Sequence, residues 1–225
     1  MGEAIGGLLP VAVGVAISPF PIIGMVLMLL TPKAKPNGFS FLLGWVGGIA
    51  VAGTLVILVV NAIGASGDDH APATWTYWLK LVLGVALLLL GVRRWQGRPH
   101  AGEEVALPKW MAALADFTPV RSVGLAVLLS AVNPKNLILV IGGATTLVQA
   151  ELSTGQDVVA WAVFTVIATI GVAAPLGIYL FLGDRAVTVL DGLNAWMSTN
   201  NAAIMAVLIL VFGTKLVGEA IAGIF

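Results

Sequence analysis

Charge is scarce in this 225-residue chain, at 10% Asp, Glu, Lys and Arg, and cysteine is absent. A soluble domain typically carries about 25% charged and ~45–50% apolar residues. Here the hydrophobic share is 59% and the mean hydropathy +1.03. Such a chain cannot cover a water-facing surface, which excludes a soluble globular domain. Without cysteine there is no disulfide, thiolate nucleophile or thiolate metal site. The two histidines, His70 and His100, both fall in polar stretches, so a histidine metal cluster is excluded and no cofactor is expected. Eleven basic residues balance eleven acidic ones, which leaves no basic excess to attract nucleic acid. No Lys or Arg precedes Lys33. The first apolar stretch therefore lacks the basic start of a signal peptide and is read as a retained span.

What the chain does have is long apolar runs. Six stand out, at about 5–30, 39–63, 77–94, 122–148, 158–182 and 202–222. A helix crosses a bilayer with ~20 apolar residues, so each can span. The strand alternation of a membrane β-barrel is absent. The fold class is thus all-α, a polytopic membrane protein with six transmembrane helices.

Orientation follows from the basic residues of the short loops. Lys33, Lys35, Arg93, Arg94, Arg98, Lys109, Arg121 and Arg185 lie in the first, third and fifth connections. The second and fourth connections hold Asp68, Asp69, Glu151 and Asp157 and no basic residue. The reading is a multi-pass plasma-membrane protein with odd loops cytoplasmic and both termini outside. Trp75, Tyr77 and Trp78 suit the outer interface, and Trp95 and Trp110 the inner one.

The two halves resemble each other. Ser18-Pro19 and Pro21 interrupt the first run, and Asn133-Pro134 interrupts the fourth. The third run ends LLLLGVRR and the sixth contains ILVFGTKL, so Gly91 matches Gly213 and Arg93 matches Lys215. Three spans per unit turn the second unit upside down. This predicts two inverted three-helix repeats with broken helices meeting near the midplane, a plan common in secondary transporters. The whole chain is one transmembrane domain: 1–95 the first repeat, 96–120 a cytoplasmic loop, 121–225 the second repeat. Within that loop, Trp110, Leu114 and Phe117 share one helical face behind Pro108, which predicts a short interfacial helix over 107–119. Residues 186–197 are expected to form a second one, through Val189, Leu190, Leu193 and Trp196.

The stretches SPFPIIGMVLMLLTPKAKPNG (18–38), FLLGWVGG (41–48), LPKWMAALADFTPVRSVGL (107–125), AVNPKNLIL (131–139) and NNAAIMAVLILVFGTKLVG (200–218) occur in this order across both halves. In this the chain resembles the LysE superfamily of membrane exporters, and most closely its GAP branch, the sulfolipid-1-addressing protein family. The resemblance implies a family best represented in mycobacteria and other actinobacteria. It also implies a role in moving large cell-envelope glycolipids toward the surface.

Lys135 is the sharpest candidate for function. A cation near the bilayer centre costs at least ~2.5–3.5 kcal/mol and by default marks a functional site. No acidic residue lies deep in another span to neutralise it. One reading is that Lys135 meets an anionic group of the substrate. Asn133 and Asn136 then satisfy backbone groups freed by Pro134, or bind substrate themselves. The alternative is a structural kink in which Lys135 bonds carbonyls of the first span. Ser18, Pro19 and Pro21 form the partner break and are expected against Asn133, Pro134, Lys135 and Asn136 around one central substrate site. Lys33, Lys35, Arg93 and Arg94 are candidates for anionic headgroup contact, although such residues more often only set orientation. Gly44 and Gly48 have the spacing of close helix packing, within the bundle or in a dimer. Lys215 and Glu219 read as a pair one helical turn apart near the outer surface. Asp68, Asp69 and His70 read as a solvated loop, not a metal site.

The leading functional reading is a transporter that exports or flips an anionic envelope lipid or glycolipid. The alternatives are an exporter of a small solute such as an amino acid or ion, and a non-transporting scaffold of a lipid-export complex. A cation exporter is expected to carry a midplane carboxylate, where this chain has a lysine. A scaffold has no need of paired helix breaks. No enzyme is expected: Ser18 has no base nearby in sequence, and there is neither a carboxylate dyad nor a metal set. The expected partners are membrane lipids, a second copy of the chain, or envelope-lipid biosynthesis and export proteins.

The orientation is directly testable because the chain has no cysteine of its own. A Glu103→Cys protein in intact cells should resist a membrane-impermeant thiol reagent and react once the membrane is opened. Labelling from outside would overturn the assigned topology.

Overall fold

A computed structural model describes residues 1–64, 74–96 and 116–224. Among these no strand occurs. The helices are α1 (Gly2–Ala16), α2 (Pro19–Leu29), α3 (Ala34–Gly64), α4 (Thr74–Gln96), α5 (Pro119–Val127), α6 (Pro134–Val148), α7 (Thr154–Phe181) and α8 (Arg185–Ile224). A π-helical turn over Leu128–Val132 continues α5 to the second break.

Helices α3, α4, α7 and α8 are long and apolar enough to cross a membrane. The pairs α1/α2 and α5/α6 also pass when each is taken as one span, bent by 50° and 60° respectively. The chain thus has four to six candidate spans, and six if each bent pair is one crossing. The bends sit where the sequence dictates. Ser18 and Asn133 are extended N-cap residues, and each is followed by a proline at the first helical position. There the missing N–H costs nothing to the helix that begins and stops the helix that ends.

One expectation needs correction. Residues 186–197 do not form a separate interfacial helix but are the first turns of α8, which runs unbroken for 40 residues. No proline lies between them and the sixth apolar run. The polar stretch that joins them returns its side chains to the helix: Thr199 Oγ1 donates to the Ala195 carbonyl at 2.9 Å and Asn200 Nδ2 to that of Trp196 at 2.8 Å. Of the predicted helix over 107–119, residues 107–115 lie outside the described residues. So do Asp68, Asp69, His70, Arg98, His100 and Lys109. Phe117 is described, and its carbonyl accepts from the buried Asn37 side chain at 2.9 Å, tying the start of α3 to the chain entering α5.

Lipid tails are as apolar as the core, so helices here associate through close van der Waals packing and polar contacts. Glycine makes that packing close. Helix α3 lies along α5, where a Cβ on Gly44 would stand 2.6 Å from the Val123 carbonyl oxygen, and one on Gly48 2.1 Å from Ser130 Oγ. Helix α1 lies along α7, where a Cβ on Gly171 would stand 1.8 Å from the Ala16 carbonyl oxygen. Helices α4 and α8 run antiparallel, with Gly84 against Gly213 and Val217, and Gly91 against Leu210. Gly44 and Gly48 thus pack within the bundle. Trp45 on α3 is fully buried and donates its indole N–H to the Ala168 carbonyl of α7 at 3.2 Å. Leu43, Leu55, Leu89 and Val166 remain exposed, as a surface facing lipid requires.

Adjacent glycines test this packing. Gly44→Ala should destabilise the protein in detergent by roughly 1–3 kcal/mol, since the α5 backbone must move. Gly47→Ala, with nothing within 4 Å of its Cβ, should not lower stability. Equal thermal unfolding of the two variants would contradict the α3–α5 contact.

Candidate functional site

The two proline breaks meet. At the first, Pro19 has no N–H to give, and the Ser18 N–H turns back to the Val15 carbonyl at 3.2 Å. The Gly14 carbonyl, on the last turn of α1, instead accepts from Lys135 Nζ at 2.8 Å. At the second, the Asn133 N–H closes the wide π turn onto the Leu128 carbonyl at 2.9 Å. The next N–H along would serve Leu129, but that residue is Pro134. The side chain of Asn136 supplies the donor, with Nδ2 at 2.9 Å from the Leu129 carbonyl. Asn133 Oδ1 in turn caps α6 by accepting from the Lys135 N–H at 3.1 Å.

Ser18 joins the two halves. Its hydroxyl donates to Asn136 Oδ1 at 2.9 Å and accepts from Lys135 Nζ at 2.5 Å. Because the hydroxyl serves this network, it makes no capping bond to α2. Ser18, Lys135 and Asn136 are 3%, 4% and 1% exposed. The ammonium uses two of its three donors on protein acceptors. Among the described residues no carboxylate pairs with it. The N-termini of α2 and α6 both begin here, and each carries the positive end of a helix dipole. The carbonyl ends of α1 and of the π turn meet at the same place, through Gly14 and Leu129. Helix ends of both signs thus converge on the breaks, and the net charge there is that of the lysine.

The other candidates fall in two groups. Pro19 and Pro21 are buried beside Ser18, while Asn133 is half-buried and Pro134 exposed. Lys33, Lys35, Arg93 and Arg94 are exposed on the α2–α3 turn, the first turn of α3 and the end of α4, and no bond of the central network reaches them.

A second charged cluster was only partly legible in the sequence. Lys215 and Glu219 do pair along α8. Glu219 also bonds Lys80 of α4 at 2.8 Å, and Lys80 is only 3% exposed. The Thr146 hydroxyl of α6 stands 3.5 Å from the same carboxylate, and Lys215 Nζ donates to the Gly7 carbonyl of α1 at 3.3 Å. Lys80 lies near the start of α4 and Glu219 near the end of α8, and the antiparallel pairing of these helices puts both at one end of the bundle. Their adjacency needed the pairing of α4 with α8, which no local pattern encodes.

The bond across the breaks has a measurable signature. In a double-mutant cycle on unfolding in detergent, Ser18→Ala and Asn136→Ala should couple by roughly 0.5–3 kcal/mol. Strict additivity would mean that the two segments do not share a network.

Comparison with the curated proteins and with the solved structures finds no match. The sequence profile of one family, described as "Sap, sulfolipid-1-addressing protein", matches residues 8–222 and so takes in both breaks and both charged clusters. That description points to lipid addressing in a membrane and not to a known class of enzyme. On a match that spans nearly the whole of an all-helical, strongly apolar chain, the protein belongs to the sulfolipid-1-addressing protein family.

Proposed function

We propose that this protein exports or flips an anionic envelope lipid or glycolipid, and that its headgroup is met by Lys135 where the two helix breaks cross. The observation that carries the reading is a buried ammonium without a carboxylate partner among the described residues, set between two helix N-termini. The unpaired ammonium favours a negative group, and half-helix N-termini face such groups at other carriers' substrate sites. Ser18, Asn133 and Asn136 add hydroxyl and amide groups that hydrogen-bond a sulfate or phosphate. In the arrangement described, the carbonyl of Gly14 and the hydroxyl of Ser18 hold the ammonium until the substrate arrives. Pro19, Pro21 and Pro134 shape the breaks. The exposed Lys33, Lys35, Arg93 and Arg94 gather anionic headgroups at the cytoplasmic leaflet. The apolar tails stay in lipid, which requires a gap between spans and not a closed pore.

The pairing of helices supports an inverted repeat over 1–95 and 121–225. The first span packs on the fifth, as the fourth packs on the second, and the third packs on the sixth. An exchange of halves reproduces this set of partners. The same three-plus-three plan supports kinship with the LysE superfamily, and the loop charges support termini on the outer side. The bond from Lys135 to Gly14 favours one competing reading, a static kink in a scaffold of a lipid-export complex.

Substitution of the lysine separates the two. Lys135→Ala should abolish lipid export while the protein stays folded and inserted. Lys135→Arg should retain part of it, because the charge remains while the shape changes. Undiminished export by a well-expressed Lys135→Ala protein would defeat the transporter reading and leave the scaffold.

A further inference from the structure

The cluster around Glu219 is not needed to satisfy a helix break, and it faces open space. It lies at the end of the bundle where α1 begins and α8 ends. A crevice of about 390 Å³ is bordered there by Glu3, Tyr77, Lys80, Thr146, Gln149 and Glu219. A second, of about 610 Å³, is bordered by Thr214, Lys215 and Glu219. The carboxylate of Glu219 is thus the wall between two crevices, with an ammonium on each side. Two lysines and one glutamate give the bonded trio a surplus positive charge, which Glu3 on the border of the first crevice opposes.

Its position relative to Lys135 is set by α1. Lys215 bonds the carbonyl of Gly7, and Lys135 bonds that of Gly14. Seven residues are two helical turns, about 10 Å, and return to the same face. Two lysines, from the fourth and sixth spans, therefore grip one face of the same helix in succession.

We propose that Lys80, Lys215 and Glu219 form a second anion station, at which the carboxylate of Glu219 holds the place that a sulfate or phosphate group takes between the two ammonium groups. This rests on the reading of Lys135 as the first station. The incoming anion displaces a carboxylate of like charge, and the displaced Glu219 keeps either crevice in reach by rotation of its side chain. Thr146 and Gln149, with Tyr77 beside them, line the receiving crevice with hydrogen-bonding groups. Because the resident carboxylate competes, the anion is held weakly and leaves readily. This suits a station on the way out better than one for capture.

The test is a binding measurement on the full chain in phosphatidylcholine nanodiscs, with phosphatidylglycerol and inorganic sulfate as separate probes. Glu219→Gln removes the competitor and should tighten binding of phosphatidylglycerol by at least about tenfold. Lys80→Gln combined with Glu219→Gln keeps a hydrogen-bonded pair and returns the cluster to its wild-type net charge, and should reverse that gain. Sulfate gaining equally assigns the station to a free anion; a gain for phosphatidylglycerol alone assigns it to a lipid headgroup. Unchanged affinity in a folded Glu219→Gln protein overturns the proposal. Should that variant fail to fold, Lys80→Gln, Lys215→Gln and Glu219→Gln combined decide: this uncharged trio should bind phosphatidylglycerol more weakly than wild type, and unchanged affinity overturns the proposal. Lys135→Ala should leave the Glu219→Gln gain in place, so a failure of the first station and a failure of the second are read separately.

Discussion

A backbone carbonyl inside a bilayer must find its donor within the protein, because lipid offers none. The centre of this molecule is organised by that demand. Pro19 and Pro134 each remove an N–H from a span that the chain would otherwise cross as continuous helix. The carbonyls of Gly14 and Leu129 are then supplied from the side chains of Lys135 and Asn136. Ser18 closes the circuit by bonding both. Lys135, Asn136 and Ser18 are thus the residues that keep the breaks tolerable in lipid.

The second constraint is closeness. Without a hydrophobic drive between helices, the bundle depends on how nearly backbones approach. Gly44 and Gly48 admit α5, Gly171 admits the last turn of α1, and Gly84 and Gly213 admit each other's helices. These contacts fix the breaks in register, since Ala16 and Ser130 lie within three residues of Ser18 and Asn133. The same antiparallel pairing of α4 and α8 delivers Lys80 to Glu219. Packing of small residues in one part of the bundle therefore determines electrostatics in another.

The sequence by itself determined the class and the positions of the interruptions. Low charge and long apolar runs compel a helical membrane protein, because neither water nor an open sheet can accommodate them. Ser18-Pro19 and Asn133-Pro134 compel breaks, because proline cannot donate and each preceding residue suits an N-cap. Lys135 stood out because a cation in an apolar run demands explanation. In these cases the cause is local, so a single strand of letters carries it.

Tertiary structure decided who satisfies whom. That Lys135 bonds Gly14, 121 residues away, and that Lys80 meets Glu219 across 139, depends on which spans are neighbours. The continuity of α8 through residues 186–197 also goes with tertiary packing, since Ala186, Leu190 and Met197 are buried against the rest of the bundle. Hydropathy says only that a segment prefers lipid to water, and every span says it equally. Which spans touch is chosen by glycine placement and by the few polar groups that must find each other, and these act only once the chain has folded.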